Sequence, residues 1–306
     1  MKIETISQWG WSEVLRIWDE QYELLVPVSV GPRILSFRRH DGPNVFHFFP
    51  EQLGQSGEPT WVPRGGHRLW TAPEDLSRTY ALDNEPIRWE RTQHGVLLTQ
   101  EDLHFGLRKQ MELSFDSGAV VVDHLLTPLS PQATGFALWA LTVLAPGGFE
   151  WMPLPPKAPH PGPPQNARSA QDYAPNQTLV LWPFTCLNDK RFYWGERSIQ
   201  LRQDPETTAP TKLGLSQSQG WTAYVVGTEV FLKEFAYEPQ ANYPDRGCNF
   251  ETFTNAEMLE METLSPFVST PTVGHTYRHR ERWQLFTQDH LTFGQEAIEP
   301  LGARGG

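Results

Sequence analysis

The segment "MLEMETL" holds two carboxylates at the spacing one strand face requires. Side chains alternate across a strand, so Glu260 and Glu262 share a face while Leu259, Met261 and Thr263 take the other. Their carboxyl groups then lie roughly 7 Å apart. Such a pair either sits in solvent or lines a cleft, where a carboxylate can take a proton or grip hydroxyls. A second concentration of reactive groups is "WVPRGGHRLWTAPED", residues 61 to 75. Paired glycines open backbone geometries closed to other residues, and Pro and Asp punctuate turns, so this reads as a loop or strand end. It gathers an imidazole (His67), a cation (Arg68) and two indoles (Trp61 and Trp70).

The remaining histidines are less informative. His124, in "VVVDHLLT", shares a strand face with Val120, Val122 and Leu126, so it is either a buried hydrogen-bonded histidine or a pocket residue. His104 lies beside a turn and reads as exposed. His275 and His279 have the spacing of a helical zinc pair, but "HTYRHRERW" is strand-like, and four residues of strand separate the side chains by roughly 13 Å. No metal is expected. The two cysteines, Cys186 and Cys248, form neither a disulfide framework nor a CxxC ribbon. A phosphate loop, GxGxxG, GxSxG and HExxH are all missing, and no cofactor is expected.

The elements that must position these groups are short strands. Period-two segments include "YELLVPVSV", "AVVVDHLL", "FALWALTVLA", "WTAYVVG", "EVFLKEFAY" and "NFETFT", with almost no amphipathic helix between them. Asp-Ser-Gly in "FDSGAV" and Gly-Thr in "VVGTEV" are hairpin turn signals. "ALWALTVLA" is apolar on both faces, as suits a central strand covered on both sides. The pattern predicts an all-β sandwich or barrel. A single domain over residues 1–306 is expected, with a proline-rich surface loop at 152–168 and a fraying tail after about residue 295.

A formal net charge of -11 argues against a nucleic-acid partner, since counterion release needs clustered cations. "YRHRERW" reads as a strand with one solvated charged face. Neither a signal core nor a spanning apolar run is evident, so a cytoplasmic protein without a membrane partner is expected. Aromatic residues, Arg, His and Glu on an all-β scaffold are the materials of a sugar site: planar side chains meet C–H faces and charged groups make fork-like bonds to hydroxyls. A small-molecule sugar is the expected partner. Oligomeric state, sugar and anomer are not specified.

Several segments, in order, resemble galactose mutarotase-like proteins of the aldose 1-epimerase superfamily. "VGPRILSFRR" resembles an early strand of that family. "GGHRLWTAPED" and "ALWALTVLAPGG" look like an uncharacterised bacterial branch known as a domain of unknown function. "NFETFTNAEMLEMETLSPF" is similar to the closing segment of aldose epimerases. The resemblance spans roughly residues 12 to 288 and implies a β-supersandwich with a carbohydrate cleft across one sheet. It implies anomer interconversion by general acid and base without a cofactor, an isomerase activity. By position, Glu262 would be the base and Arg68 the cation that orients hydroxyls, with His67 beside it, Glu260 and His124 in the cleft, and Trp61 or Trp70 as a stacking wall. The family's second histidine is replaced here by "LWALT", with Trp139 and Thr142. Either His67 or His124 therefore takes the acid role, or the reaction is lost; His67 is the expected acid, with His124 and Trp139 as sugar contacts. The alternatives are a non-catalytic sugar-binding module and a lyase or hydrolase acting on oligosaccharide.

Overall fold

The computed structural model describes residues 1–131 and 134–296. Three antiparallel sheets account for it. The seven-stranded sheet runs Leu179–Leu181, Thr211–Leu215, Phe250–Thr254, Leu259–Leu264, Ala137–Leu144, His67–Ala72, Arg33–Ile34. A ten-stranded sheet has Glu229–Phe235, Tyr277–Thr287 and Ala119–Pro128 as neighbours near its middle. A four-stranded sheet joins Lys2–Gln8, Trp11–Trp18, Tyr22–Pro27 and Ser36–Arg39. This is the all-β sandwich that the alternation predicts. Among the described residues, no helix is long and apolar enough to cross a membrane.

Alternation sets which face each strand buries. Val120, Val122 and Leu126 enter one continuous apolar core with Leu138, Leu144, Leu259 and Met261 from the facing sheet. A knot of aromatic rings ties the three sheets together. Trp283 of the ten-stranded sheet packs 5.5 Å from Phe37 of the four-stranded sheet and 5.5 Å from Phe46, whose backbone bridges Leu144 of the seven-stranded sheet. The Phe46–Trp283 contact is edge-on at 85°, an arrangement that aromatic quadrupoles favour. The hairpin read from "FDSGAV" turns through Ser117 and Gly118, both at positive φ, between paired Asp116 and Ala119.

Two strands that matter for function are not evident from pattern alone. "HRLWTA", expected as a loop or strand end, is the strand His67–Ala72, and "TKLGL" is the strand Thr211–Leu215. The lysine and glycine of the second weaken its β signal. Gly214 is needed because a Cβ there would lie 2.4 Å from the Cys248 sulfur. Of the stretch expected as a proline-rich loop, residues 152 and 153 end the buried strand Phe149–Pro153, and the rest is largely exposed with one short 3-10 turn, Pro164–Asn166; a second, Ala170–Tyr173, follows it. Glu296 accepts hydrogen bonds from the backbone of Arg197 and Ser198; the rest of the tail, 297–306, lies outside the described residues.

Gly65 and Gly66 have φ of 81° and 70°, in the left-handed region that favours glycine. A Cβ on Gly66 would also meet the Ile34 carbonyl oxygen at 2.3 Å. This close approach lets the chain enter His67–Ala72 already in register with Arg33–Ile34. Gly66→Ala is expected to destabilise the fold by about 3 kcal/mol, read as a lowered urea midpoint.

Candidate functional site

A pocket of about 400 Å³ opens on the face of the seven-stranded sheet that points away from the sandwich interior. Its floor comes from three adjacent strands, His67–Ala72, Ala137–Leu144 and Leu259–Leu264. The pleat puts Arg68 and Trp70, Trp139 and Leu141, and Glu260 and Glu262 on this face. Leu141 lies opposite both Arg68 and Glu262, and Trp139 lies opposite Trp70. The two carboxylates of "MLEMETL" thus line a cleft. No residue of the proline-rich loop lines it.

Each charged group in the pocket is held by a partner. Arg68, 3% exposed, donates from Nη2 to Glu260 Oε1 at 3.0 Å and lays its guanidinium 4.2 Å over the Trp70 ring. It does not pair with Glu74, which accepts a 2.5 Å hydrogen bond from the Tyr80 hydroxyl. Lys212 Nζ lies 2.9 Å from Glu262 Oε2 and 2.8 Å from Glu251 Oε2, and 4.7 Å over the Trp139 ring. The Trp139 indole N–H donates to Glu262 Oε2 at 3.0 Å. Both hydrogen bonds to Glu262 fall on Oε2. Arg68 Nε and Nη1 and the Trp61 indole N–H are buried donors without a protein partner.

Burial pushes the Glu262 carboxyl above the ordinary carboxylate range, although the Lys212 ammonium opposes the shift. Burial also raises Glu251, to about 8, against the same ammonium and with Glu262 adding to the rise. Burial works against the charge on Lys212, but the two carboxylates outweigh it and hold the ammonium above its usual range.

His67 and His124 do not line this pocket, which corrects the expectation that His67 and Arg68 face a ligand together. They are consecutive residues of one strand, so the pleat sends Arg68 outward and His67 into the core. There His67, His124, His279, Lys233 and Glu281 form a buried polar network. His124 Nδ1 faces the His279 carbonyl oxygen at 3.0 Å and must carry a proton, so His124 Nε2 accepts from His67 Nε2 at 2.6 Å. His67 Nδ1 then accepts from the Thr142 hydroxyl, which accepts from Lys233 Nζ. Lys233 lies 3.1 Å from Glu281, which also accepts from Thr263 and from the Trp283 indole.

His67, His124 and Glu281 bring three ligand-type atoms within 4.8 Å of one another. Their 2.6 Å nitrogen separation is shorter than the roughly 3.3 Å between two tetrahedral zinc ligands, and Lys233 already neutralises Glu281. The cluster is a closed hydrogen-bond network.

The groups that pattern reading misses are Lys212, Glu251, Tyr80 and Trp182. Period-two alternation of Thr211, Leu213 and Leu215 against Lys212 is the signal that could have placed Lys212 on a strand face.

No protein-family model and no curated protein matches the chain by sequence. By structure it is similar to a galactose mutarotase related enzyme from Lactobacillus acidophilus, at TM-score 0.52 and 9% identity over 91% of this chain and 99% of that one. A galactose mutarotase-like protein from Clostridium acetobutylicum (TM-score 0.50, 8% identity, 94% and 99% covered) is also similar. So is an aldose epimerase homologue from C. elegans (TM-score 0.50, 9% identity, 90% and 98% covered). The chain has the galactose mutarotase-like fold.

The histidine network makes stability depend on acid. Burial lowers all three histidines, His67 well below the ordinary value and His279 to about 3. An unfolded histidine titrates near about 6.5, so below that pH the unfolded chain binds more protons than the folded one. The histidines' contribution to stability is expected to fall as pH drops through that window, by up to about 1.4 kcal/mol per pH unit for each histidine. The raised Glu251 and Glu262 carboxyls act in the opposite sense over the same window, so the histidine part is read by comparing urea midpoints at pH 7 and pH 5 in the protein and in His279→Gln; an equal pH dependence in the two would contradict the neutral network.

Proposed function

We propose that the pocket binds a carbohydrate ring. The observation that carries this is the joining of indole walls, Trp61, Trp70 and Trp139, to two ion-paired carboxylates, Glu260 and Glu262, on one face of the sheet. Indole faces suit the C–H surface of a pyranose, and the Glu260 and Glu262 carboxylates on the pocket floor suit its hydroxyl groups. The likeness of fold to galactose mutarotase related enzymes supports the same substrate class. A native-state ligand at a hundred times its Kd adds about 2.7 kcal/mol of apparent stability. Monosaccharides are therefore expected to raise Tm by several degrees, and Arg68→Ala to abolish that rise. Absence of a shift with any sugar would refute the proposal.

Within that reading, Glu262 is the group suited to take the anomeric proton. Its raised proton affinity makes it a stronger base than an ordinary carboxylate, and Oε1 is open to the ligand. Ring opening also needs a proton delivered to the ring oxygen, and both histidines that the resemblance offers for this lie on the other side of the sheet. That placement favours a second reading, a binding protein without turnover. Polarimetry separates the two. For an epimerase, sugar anomers equilibrate faster with the protein, and Glu262→Gln lowers the rate at least a hundredfold, the lower end of the usual contribution of a positioned base. For a binding protein, the sugar-dependent Tm rise persists while equilibration keeps its uncatalysed rate.

A further inference from the structure

Hydrogen-bonding capacity is unevenly distributed in the pocket. Arg68, Glu260, Glu262 and Lys212 occupy its middle, and Trp61, Trp70, Tyr80 and Trp139 close one end. The other end lies at the hairpin joining Phe250–Thr254 to Leu259–Leu264. There Phe253 and Val143 flank Glu260 on its two neighbouring strands, and Met258 lies in the turn. Phe49 closes this end from a segment whose His47 N–H bonds the Val143 carbonyl. None of these four side chains has a conventional hydrogen-bonding group, yet Phe49, Phe253 and Met258 are only half-buried. They form an unfilled apolar surface continuous with the polar centre.

A free hexose carries hydroxyls around most of its edge. A hydroxyl pressed against these four side chains, away from the Glu260 carboxylate that Arg68 holds toward the centre, would lose water and find no side-chain partner, at about 1–3 kcal/mol each. The charged groups nearby cannot turn to help, since Arg68 is held by Glu260 and Lys212 by Glu262 and Glu251. An apolar group there releases water from three half-exposed side chains and incurs no such penalty. The cavity volume also falls in the roughly 300–1,000 Å³ range of sites for drug-sized ligands.

We infer that the sugar bound here carries an apolar substituent, aryl or acyl in size, seated against Phe49, Val143, Phe253 and Met258. The inference rests on the carbohydrate reading of the pocket and adds the chemical class of the ligand. Met258 is the adaptable member of this wall, because an unbranched thioether repacks around groups of different shape.

Calorimetric titration of the full chain tests this with four sets of probes: methyl glucoside and methyl galactoside, their 4-nitrophenyl counterparts, 6-O-octanoyl glucose, and 4-nitrophenol or octanoate without sugar. The nitrophenyl glycosides or the acyl sugar are expected to bind at least tenfold more tightly than the methyl glycosides. Which of the two does so identifies a glycosidic or an ester linkage. Met258→Gln is expected to remove most of that gain. Equal affinity for methyl and substituted sugars would overturn the inference and leave the carbohydrate reading intact. Binding of 4-nitrophenol or octanoate alone, as tight as that of the conjugates and without response to any methyl glycoside, would overturn both. A gain undiminished in Met258→Gln would overturn the placement of the substituent.

Discussion

The pleat of three adjacent strands governs the rest of the structure. In His67–Ala72, Ala137–Leu144 and Leu259–Leu264 each residue serves the face opposite to that of its neighbour. Arg68 enters the pocket because His67 enters the core. Leu141 and Val143 form floor while Thr142 between them bonds His67, and Glu262 faces outward while Thr263 bonds His279 and Glu281. A slip of one residue in any of the three would exchange charged pocket groups for core groups along the whole strand. The glycines before His67 and the pairing with Arg33–Ile34 fix that register at its start.

Charge is tolerated on both faces for the same reason. A buried ion is costly unless it is paired and hydrogen-bonded. On the pocket side, Arg68 and Lys212 meet carboxylates and rest on indole rings. On the core side, Lys233 and Glu281 pair while threonine hydroxyls and an indole N–H satisfy the remaining positions. The two clusters sit back to back across one sheet and differ in their unmet capacity. The inner cluster is closed upon itself, and the outer one leaves Arg68 and Trp61 donors free.

The likeness in fold to mutarotase-related proteins persists at 8–9% identity. Strand order and burial pattern tolerate nearly complete replacement of side chains, provided alternation and turn residues survive. Function does not follow from the fold alone, because a site is set by the groups that meet in it. Here the middle of the floor is Trp139, Leu141 and Val143, an apolar strand between two polar ones.

The sequence by itself determined the all-β class, the facing of Glu260 with Glu262, the inward direction of His124 and the central place of "ALWALTVLA". These are local properties, written in period-two alternation and in turn residues within one segment. It also marked Arg68, Trp61 and Trp70 as neighbours of a turn. Only the tertiary structure decided that His67 and Arg68 part company, that Lys212 meets Glu262 from 50 residues away, and that His67 joins His124 and Glu281. Pairing between distant strands brings those groups together, and register between strands is set by the whole packed sheet. Even the hidden strand Thr211–Leu215 forms because its neighbour Phe250–Thr254 supplies the hydrogen bonds that its own lysine and glycine give no hint of.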